Sequence, residues 1–476
     1  MSDPLAPPAA TPTGHGGGPV RVAIVGAGPA GFFLADRLLG RPDVAIEVDL
    51  FERLPTPYGL VRFGVAPDHE RIKNVTRSFD KVAARPGFRF FGNVEVGRHV
   101  TVAELRRHYH QICFTTGAQT DRRMGIPGED LAGSHAATEF VAWYNGHPDY
   151  RDLCFDLSAE RVAVVGVGNV AVDVARILCR TAAELAATDI ADHALEALRA
   201  SRVREVYLLG RRGPVQAAFT YPEAKELGEL EGADVCARPD EVALDPESRA
   251  RLDAAGDATE SKKVELIQAF ARRARSGKPR LLTLRFLVSP VALLADDAGH
   301  VRRMRTVRNR LVAAADGSMR AEPTGETEEL PVDLVFRSVG YRGVPLPGVP
   351  FDERAGIVPN AQGRVIDPAT GGPLRGVYVS GWIKRGPSGV IGTNKPDAAE
   401  TSERMLADLA AGCHLEPEAP EAAAAEAWVR RVQPDVVAFA DWQALDRMEV
   451  ERGRPVGRPR VKLTRVEEML GCLGAA

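Results

Sequence analysis

No two of the six cysteines are close enough for a C-x-x-C pair: Cys113, Cys154, Cys179, Cys236, Cys413 and Cys472 are scattered along 476 residues. That argues against a redox dithiol, a cysteine-rich cluster-binding segment and a zinc site. Sparse cysteine suits a reducing compartment, so a cytoplasmic location is expected. No stretch approaches the ~20 consecutive apolar residues of a membrane-crossing helix. Neither lysine nor arginine occurs in residues 1–19, which are rich in Pro, Ala, Thr and Gly. This segment reads as a short disordered leader, not as a secretory signal or an Arg-rich presequence. Charge of one sign is not in excess either. Lys and Arg number 61 against 64 Asp and Glu, a net charge of −3. Bulk charge therefore gives no case for nucleic acid or an anionic membrane as partner.

What the chain does have is glycine in a particular place. At roughly 100–200 residues per domain, its length predicts two or three domains. Near the start, the β-branched run Val22 to Val25 reads as a buried parallel strand. Gly26-Ala27-Gly28-Pro29-Ala30-Gly31 follows at once, then a helical stretch from Phe32 to Leu39. A second strand, Val44 to Phe51, closes on Glu52. In such a β-α-β unit the first glycine permits the tight turn. The second lets the backbone approach a pyrophosphate, and the third lets helix and strand pack closely. The helix N-terminus offers free N–H groups and partial positive charge. An acid at the end of the second strand holds ribose hydroxyls, and Glu52 stands there.

The pattern returns at Val162 to Val165, followed by Gly166-Val167-Gly168-Asn169-Val170-Ala171 and a helix from Val172 to Cys179. After a helical insertion, Ala182 to Ala200, the next strand, Glu205 to Leu209, ends in Gly210-Arg211-Arg212-Gly213. A carboxylate at that place repels a 2′-phosphate, whereas guanidinium groups bind it. The second unit is therefore expected to take NADP(H). The first, ending in an acid, suits the unphosphorylated ribose of FAD.

The rest reads more coarsely. Residues 240–280 are helical and charged. Strands are expected at Leu284 to Val288, Val291 to Leu294, Val332 to Phe336 and Gly376 to Gly381, and a helix at Met405 to Ala411. Glu416 to Glu426 is a linker or weak helix. An Arg/Pro-rich piece, Arg452 to Arg460, precedes a short helix at Arg465 to Leu470. The basic group Arg272, Arg273, Arg275, Lys278 and Arg280 is either a docking patch for an acidic partner or a solvated helix end.

Seven stretches carry a resemblance: LPTPYGLVRFGVAPDH, FRFFGNVEVG, IPGEDLAGS, GNVAVDVARIL, GRRGPVQAAFT, RSVGYRGVPLPG and GWIKRGPSGVIGTN. Together, over about Val20 to Ala411, they resemble the NADPH–ferredoxin reductases of the adrenodoxin-reductase type, in the bacterial branch. The resemblance implies an α/β fold of two Rossmann-like dinucleotide-binding domains, as in the flavin disulfide reductases. An FAD domain (20–118 and 331–411) is interrupted by an NADP domain (119–330), and residues 412–476 form an extension without a role. It implies FAD and NADP(H) as cofactors and a ferredoxin-type iron–sulfur protein as electron acceptor.

Carried onto this sequence, the FAD site takes in Gly26, Gly28, Ala30, Glu52, Leu60, Val94 and Trp382, with the backbone of Gly389, Val390 and Ile391. The NADP site takes in Arg122, Gly168, Asn169, Val170, Arg211, Arg212 and Glu223, with Gly389 near the nicotinamide. His69 and Glu226 match residues proposed in the family to assist proton movement. Read without the family, His69 is a helix-start residue and Glu226 part of a charged helix face. Gly381-Trp382 stands where many dithiol flavoenzymes carry Gly-Asp. The competing readings are an electron-input subunit of the glutamate-synthase small-subunit type, a dithiol reductase, and a non-enzymatic flavin redox sensor acting through the tail. The first usually adds an N-terminal cysteine-rich segment, and the second needs a cysteine pair.

Overall fold

The structure, a computed structural model, describes residues 18–315 and 317–474. The leader expected over residues 1–19 lies outside the described residues except for its last two.

Val20–Val25 is buried at every position and starts a seven-stranded sheet. Burial on both faces is what β-branched residues in a parallel strand require. Its neighbours, Ile46–Phe51 and Gln111–Phe114, both run parallel to it. Phe88–Phe91 extends one side and Pro373–Val379 the other, again in parallel. The short strands Arg364–Ile366 and Asn360–Ala361 complete the edge in antiparallel sense. Between the first two strands, helix Pro29–Leu39 starts with proline in its first turn, where a missing N–H costs nothing. Its buried face, Phe32, Phe33, Leu34, Ala35 and Leu38, covers the sheet.

The chain then crosses to a second unit and back. The two crossings are zipped together, Thr120–Asp121 pairing with Tyr341–Arg342. The second unit has six strands, all parallel. Their order is Ser134–Ala136, Leu334–Arg337, Arg161–Val165, Glu205–Leu209, Arg280–Arg285 and Ala233–Ala237. Leu334–Arg337, expected on the FAD side of a boundary at residue 330, belongs to this sheet. Its pairing with Arg161–Val165 carries the second unit through residue 337.

Between Arg280–Arg285 and Leu334–Arg337 lies an antiparallel three-stranded insert, Val288–Ala295, Val301–Ala313 and Met319–Pro331. Residues 281–335 read as strands from the sequence, but the long hairpin Val301–Ala313 with Met319–Pro331 falls where no individual strand is expected. Its solvent face is a ladder of Arg–Glu pairs, including Arg303 and Arg305 on Glu329 and Arg310 on Glu322, and these charges mask the apolar alternation.

The tail differs most from expectation. It forms helices Ala422–Val432, Phe439–Gly453 and Val466–Gly474, where only a linker or weak helix and one short helix were expected. Ala425, Trp428 and Val429 join the core on one face of the first sheet, with Ala23 and Val25. Trp442, Leu445, Leu463 and Met469 join the core on the other face, with Val22 and Ile24. Glu449 is buried and grips Arg62 of the first unit in two hydrogen bonds of 2.9 and 2.5 Å. The Arg62 guanidinium also lies 5.0 Å from the Trp442 ring centre. The tail is thus built into the first unit. Among the described residues, no helix is long and apolar enough to cross a membrane.

Burial alone raises the Glu449 carboxyl, but the Arg62 and Arg460 guanidiniums outweigh it and hold it below its ordinary value. A depressed carboxylate stabilises the fold above its unfolded pKa and loses that contribution as pH falls through the folded one. Glu449→Ala leaves Arg62 buried and unpaired, which costs about 3–5 kcal/mol. Denaturant unfolding near neutral pH measures it, and a loss under ~1 kcal/mol contradicts the tail's structural role.

Candidate active site

The three glycines of the first turn are required for three different reasons. Gly26 has φ +110°, and a Cβ there would lie 2.7 Å from the Thr115 carbonyl oxygen. A Cβ on Gly31 would lie 2.3 Å from the Gly26 oxygen. A Cβ on Gly28 would meet nothing within 4 Å. Gly28 caps helix Pro29–Leu39 with no side-chain cap. The turn therefore opens onto space with helix N–H groups pointing into it, which is the form of a phosphate cradle. Glu52 turns back under the cradle. Its two carboxylate oxygens accept N–H bonds from Ala27 at 3.0 Å and Leu54 at 3.2 Å. Burial pushes the carboxyl up, against the pull of these N–H groups and of Arg53.

The other expected FAD residues converge on this turn. Leu60 follows Gly59, whose Cβ position is 3.1 Å from the Gly28 Cα. The Val94 N–H donates to the Glu52 carbonyl at 2.9 Å. A Cβ on Gly381, next to Trp382, would come 2.6 Å from the Ala30 Cβ. Trp382 donates its indole N–H to the Ser388 carbonyl at 3.1 Å and so holds the turn of Gly389, Val390 and Ile391, of which the first two are exposed. Two participants escaped the sequence reading. Thr115 bonds the Val25 and Gly26 carbonyls at the end of the neighbouring strand. Tyr58 adopts φ 82°, unusual for a side-chain-bearing residue, and donates its N–H to Ala27 at 2.8 Å.

The second turn repeats the geometry. Gly166 has φ +137°, and a Cβ would lie 2.2 Å from the Ser338 carbonyl oxygen. A Cβ on Gly168 would again meet nothing within 4 Å. Asn169 and Val170 begin helix Asn169–Cys179, and Asn169 Oδ1 accepts the Thr220 N–H at 3.1 Å. Arg211 and Arg212 follow strand Glu205–Leu209. Neither guanidinium has a hydrogen-bond or ion-pair partner among the described residues. Burial, then the Arg211 charge, lowers the Arg212 pKa. Two adjacent unpaired guanidiniums suit a dianion. Arg122 sits at the crossing, its side chain against the Tyr341 and Ala355 carbonyls.

A charged cluster joins the units. His69 comes from the first, and its side chain is 9% exposed. The ring does not cap a helix. Its Nε2 lies 2.7 Å from Glu226 and 3.9 Å from Glu223, both on helix Tyr221–Gly228 of the second unit. Beneath them is Arg176, fully buried, which reaches Asp68, Asp173, Glu223 and Glu226 at 2.8, 2.7, 3.3 and 3.1 Å. Arg176 lies inside the GNVAVDVARIL stretch but has no local feature that marks it out. Burial, then the Asp173 charge, pushes the Glu223 carboxyl up to about 6. Burial lowers His69, but the bond to Glu226 prevails and its pKa is raised. Glu226 is lowered: burial raises it, and His69 and Arg176 outweigh that. His69, Asp173 and Glu223 are close enough to ligate a cation. Arg176 already occupies this group of carboxylates, so the cluster is an ion-pair network around one titratable histidine.

The basic segment from Arg272 to Arg280 lies elsewhere. It leads into the N-terminal end of Arg280–Arg285, whose other end pairs beside Leu209. In that parallel sheet the segment lies at the N-terminal end of the strands, whereas the second glycine turn follows the C-terminal end of Arg161–Val165. A cavity of about 540 Å³, lined by residues including Arg151, His193 and Cys472, also stands apart from the cradles.

Two dinucleotide cradles joined through one charged junction define a pyridine-nucleotide-linked flavoprotein oxidoreductase. The family model of the pyridine nucleotide-disulphide oxidoreductases matches residues 20–209. NADPH-ferredoxin reductase FprA of Mycobacterium tuberculosis is 47% identical over 95% of this chain and 98% of its own. Human mitochondrial NADPH:adrenodoxin oxidoreductase is 44% identical over 95% and 92%. The solved structure of Mycobacterium tuberculosis FprA in complex with NADPH superposes with a TM-score of 0.90 at 46% identity, covering 96% of this chain and 99% of that one. The chain belongs to the NADPH–ferredoxin reductase family of the adrenodoxin-reductase type. The match to FprA is too long to exclude the tail, which is part of the shared fold and not an addition to it.

A raised histidine contributes stability that is complete below its unfolded value and is lost as pH rises through the folded one. Glu226→Gln removes the carboxylate that raises His69. The titration midpoint of the His69 ring, followed by NMR, should fall relative to the parent protein. An unchanged or higher midpoint contradicts the pairing.

Proposed function

We propose that this chain takes hydride from NADPH onto FAD and passes electrons singly to a ferredoxin-type iron–sulfur protein. One observation carries the reading: two phosphate cradles in one chain, the first closed by Glu52 and the second by an unpaired Arg211–Arg212. The residues present fit both cofactors. The helix start behind Gly28 would take the FAD pyrophosphate, and Glu52 the adenosine ribose. Leu60, Val94, Trp382 and the turn Gly389–Ile391 would border the rest of that site. The helix start behind Gly168, with Asn169 and Val170, would take the NADP(H) pyrophosphate, and Arg211 and Arg212 the 2′-phosphate. Arg122 and Glu223 would flank the nicotinamide end.

When bound, flavin accepts two electrons together and releases them one at a time, so no protein nucleophile is needed. The protein positions the reactants and manages a proton. His69, held by Glu226 and surrounded by Asp68, Asp173 and Glu223, would keep a proton at Nε2 near neutral pH, with Arg176 fixing the carboxylates. Only the joining of the units creates that cluster.

The family also weighs against the competing readings. The glutamate-synthase type usually adds a cysteine-rich N-terminal segment, and no cysteine precedes Cys113 in this sequence. A dithiol reductase needs a close cysteine pair, which this sequence does not offer, and sustained NADPH oxidation with an added acceptor distinguishes an enzyme from a redox sensor.

Arg211→Ala with Arg212→Ala removes charge-assisted bonds worth ~1.5–3 kcal/mol each. KM for NADPH should rise at least about tenfold while KM for NADH changes little. Steady-state reduction of an added ferredoxin with each cofactor measures this. Equal loss with both cofactors contradicts the 2′-phosphate assignment.

A further inference from the structure

Two unpaired arginines on a loop discriminate between cofactors only if the loop itself is held. Beyond the Gly210 N–H bond to the Arg285 carbonyl of the Rossmann sheet, at 2.8 Å, hydrogen bonds tie that loop to the start of the three-stranded insert. Val288 donates its N–H to Gly210, and Leu287, at φ 57°, donates its N–H to Arg212, both at 3.1 Å. Asn309 donates its backbone N–H to the Leu287 carbonyl at 2.7 Å. Its side-chain Nδ2 donates to the Arg211 carbonyl at 2.9 Å and to Ser289 Oγ at 2.8 Å.

A carbonyl only accepts, so the atom facing Arg211 must be the amide nitrogen. Asn309 is 3% exposed. It follows a register shift in the hairpin between Val307 and Asn309, a place where strands re-aim a side chain. One buried amide thus ties together Arg211, the backbone that holds Arg212, and the insert.

We propose that Asn309 is a positioning residue for 2′-phosphate selectivity: it orients the Arg211–Arg212 pair and thereby sets the preference for NADPH over NADH. This rests on the reading of Arg211 and Arg212 given above. It assigns the antiparallel insert a function, as the brace for cofactor choice. Asn309 does not touch the cofactor; it acts through the loop backbone.

The test compares Asn309→Leu, of similar size but without the donor, with the parent protein. KM is measured for NADPH and NADH with ferricyanide as acceptor, and Kd for 2′,5′-ADP and for 5′-AMP. KM for NADPH and Kd for 2′,5′-ADP should rise about tenfold, the loss of roughly one hydrogen bond, while the NADH and 5′-AMP values shift less than about twofold. In the Arg211→Ala, Arg212→Ala background the same substitution should add nothing to KM for NADPH. Asn309→Ser, whose hydroxyl is too short to reach Arg211, should give the same split if the leucine variant does not fold. Equal losses for both cofactors, or no change for either, overturn the inference. If instead the double arginine variant leaves the NADPH-to-NADH ratio intact, the 2′-phosphate reading itself has failed.

Discussion

A phosphate group can be held by peptide N–H groups only where the backbone presents no side chain to obstruct it. In this protein two backbone carbonyls enforce that condition. The Thr115 oxygen lies 2.7 Å from where a Cβ on Gly26 would be, and the Ser338 oxygen 2.2 Å from one on Gly166. Each carbonyl comes from the end of the parallel strand next to the turn, so strand register and glycine placement depend on each other. Shift either strand and the turn loses its contact. Beyond it, Gly28 and Gly168 face open space at the start of a helix, where the partial positive charge lies. The remaining structure keeps these cradles rigid and brings them together.

The bracing extends far along the chain. Tyr58, strained at φ 82°, holds its N–H bond over the first cradle because its ring is locked between Phe32, Phe79 and Trp442. Trp442 belongs to the tail, and its indole N–H points to the Tyr58 hydroxyl at 3.4 Å. Such a conformation persists only when its surroundings over-determine it. Buried charge does the same between units. Lys462 of the tail and Lys73 of the first unit share Asp189 of the second, at 3.2 and 2.6 Å. Arg176 and Arg180 converge on Asp68, whose carboxyl they hold well below the ordinary range although burial opposes them. Breaking any of these pairs strands a charge away from water, which resists relative motion of the units.

Much of this was legible in residue order. Both β-α-β units, Glu52 and the Arg211–Arg212 pair stand in local patterns, because strand, turn and helix in a Rossmann unit are consecutive. The family resemblance then supplied His69 and Glu226, which the fold brings to 2.7 Å. Arg176, Thr115 and Asn309 were not legible, since each matters through partners far away in sequence. The tail is hard to read because Glu416 to Glu426 dominates its composition, while the residues that anchor it, Trp428, Trp442 and Glu449, are spread over two separate helices. The strand Leu334–Arg337 was assigned to the wrong unit because pairing, not chain position, decides sheet membership. The basic run at Arg272 is a similar case: its charge is visible in the sequence, but its place at the N-terminal end of the parallel strands is not.

On the proposed function, one cradle holds a flavin and the other a 2′-phosphorylated nicotinamide nucleotide that reduces it. Anaerobic titration of the purified protein with NADPH, followed by absorption, addresses both halves at once. The account requires a yellow protein whose flavin band is bleached stoichiometrically by NADPH and returns, over many turnovers, when an oxidised ferredoxin is added. A colourless protein that takes up no FAD on reconstitution contradicts it.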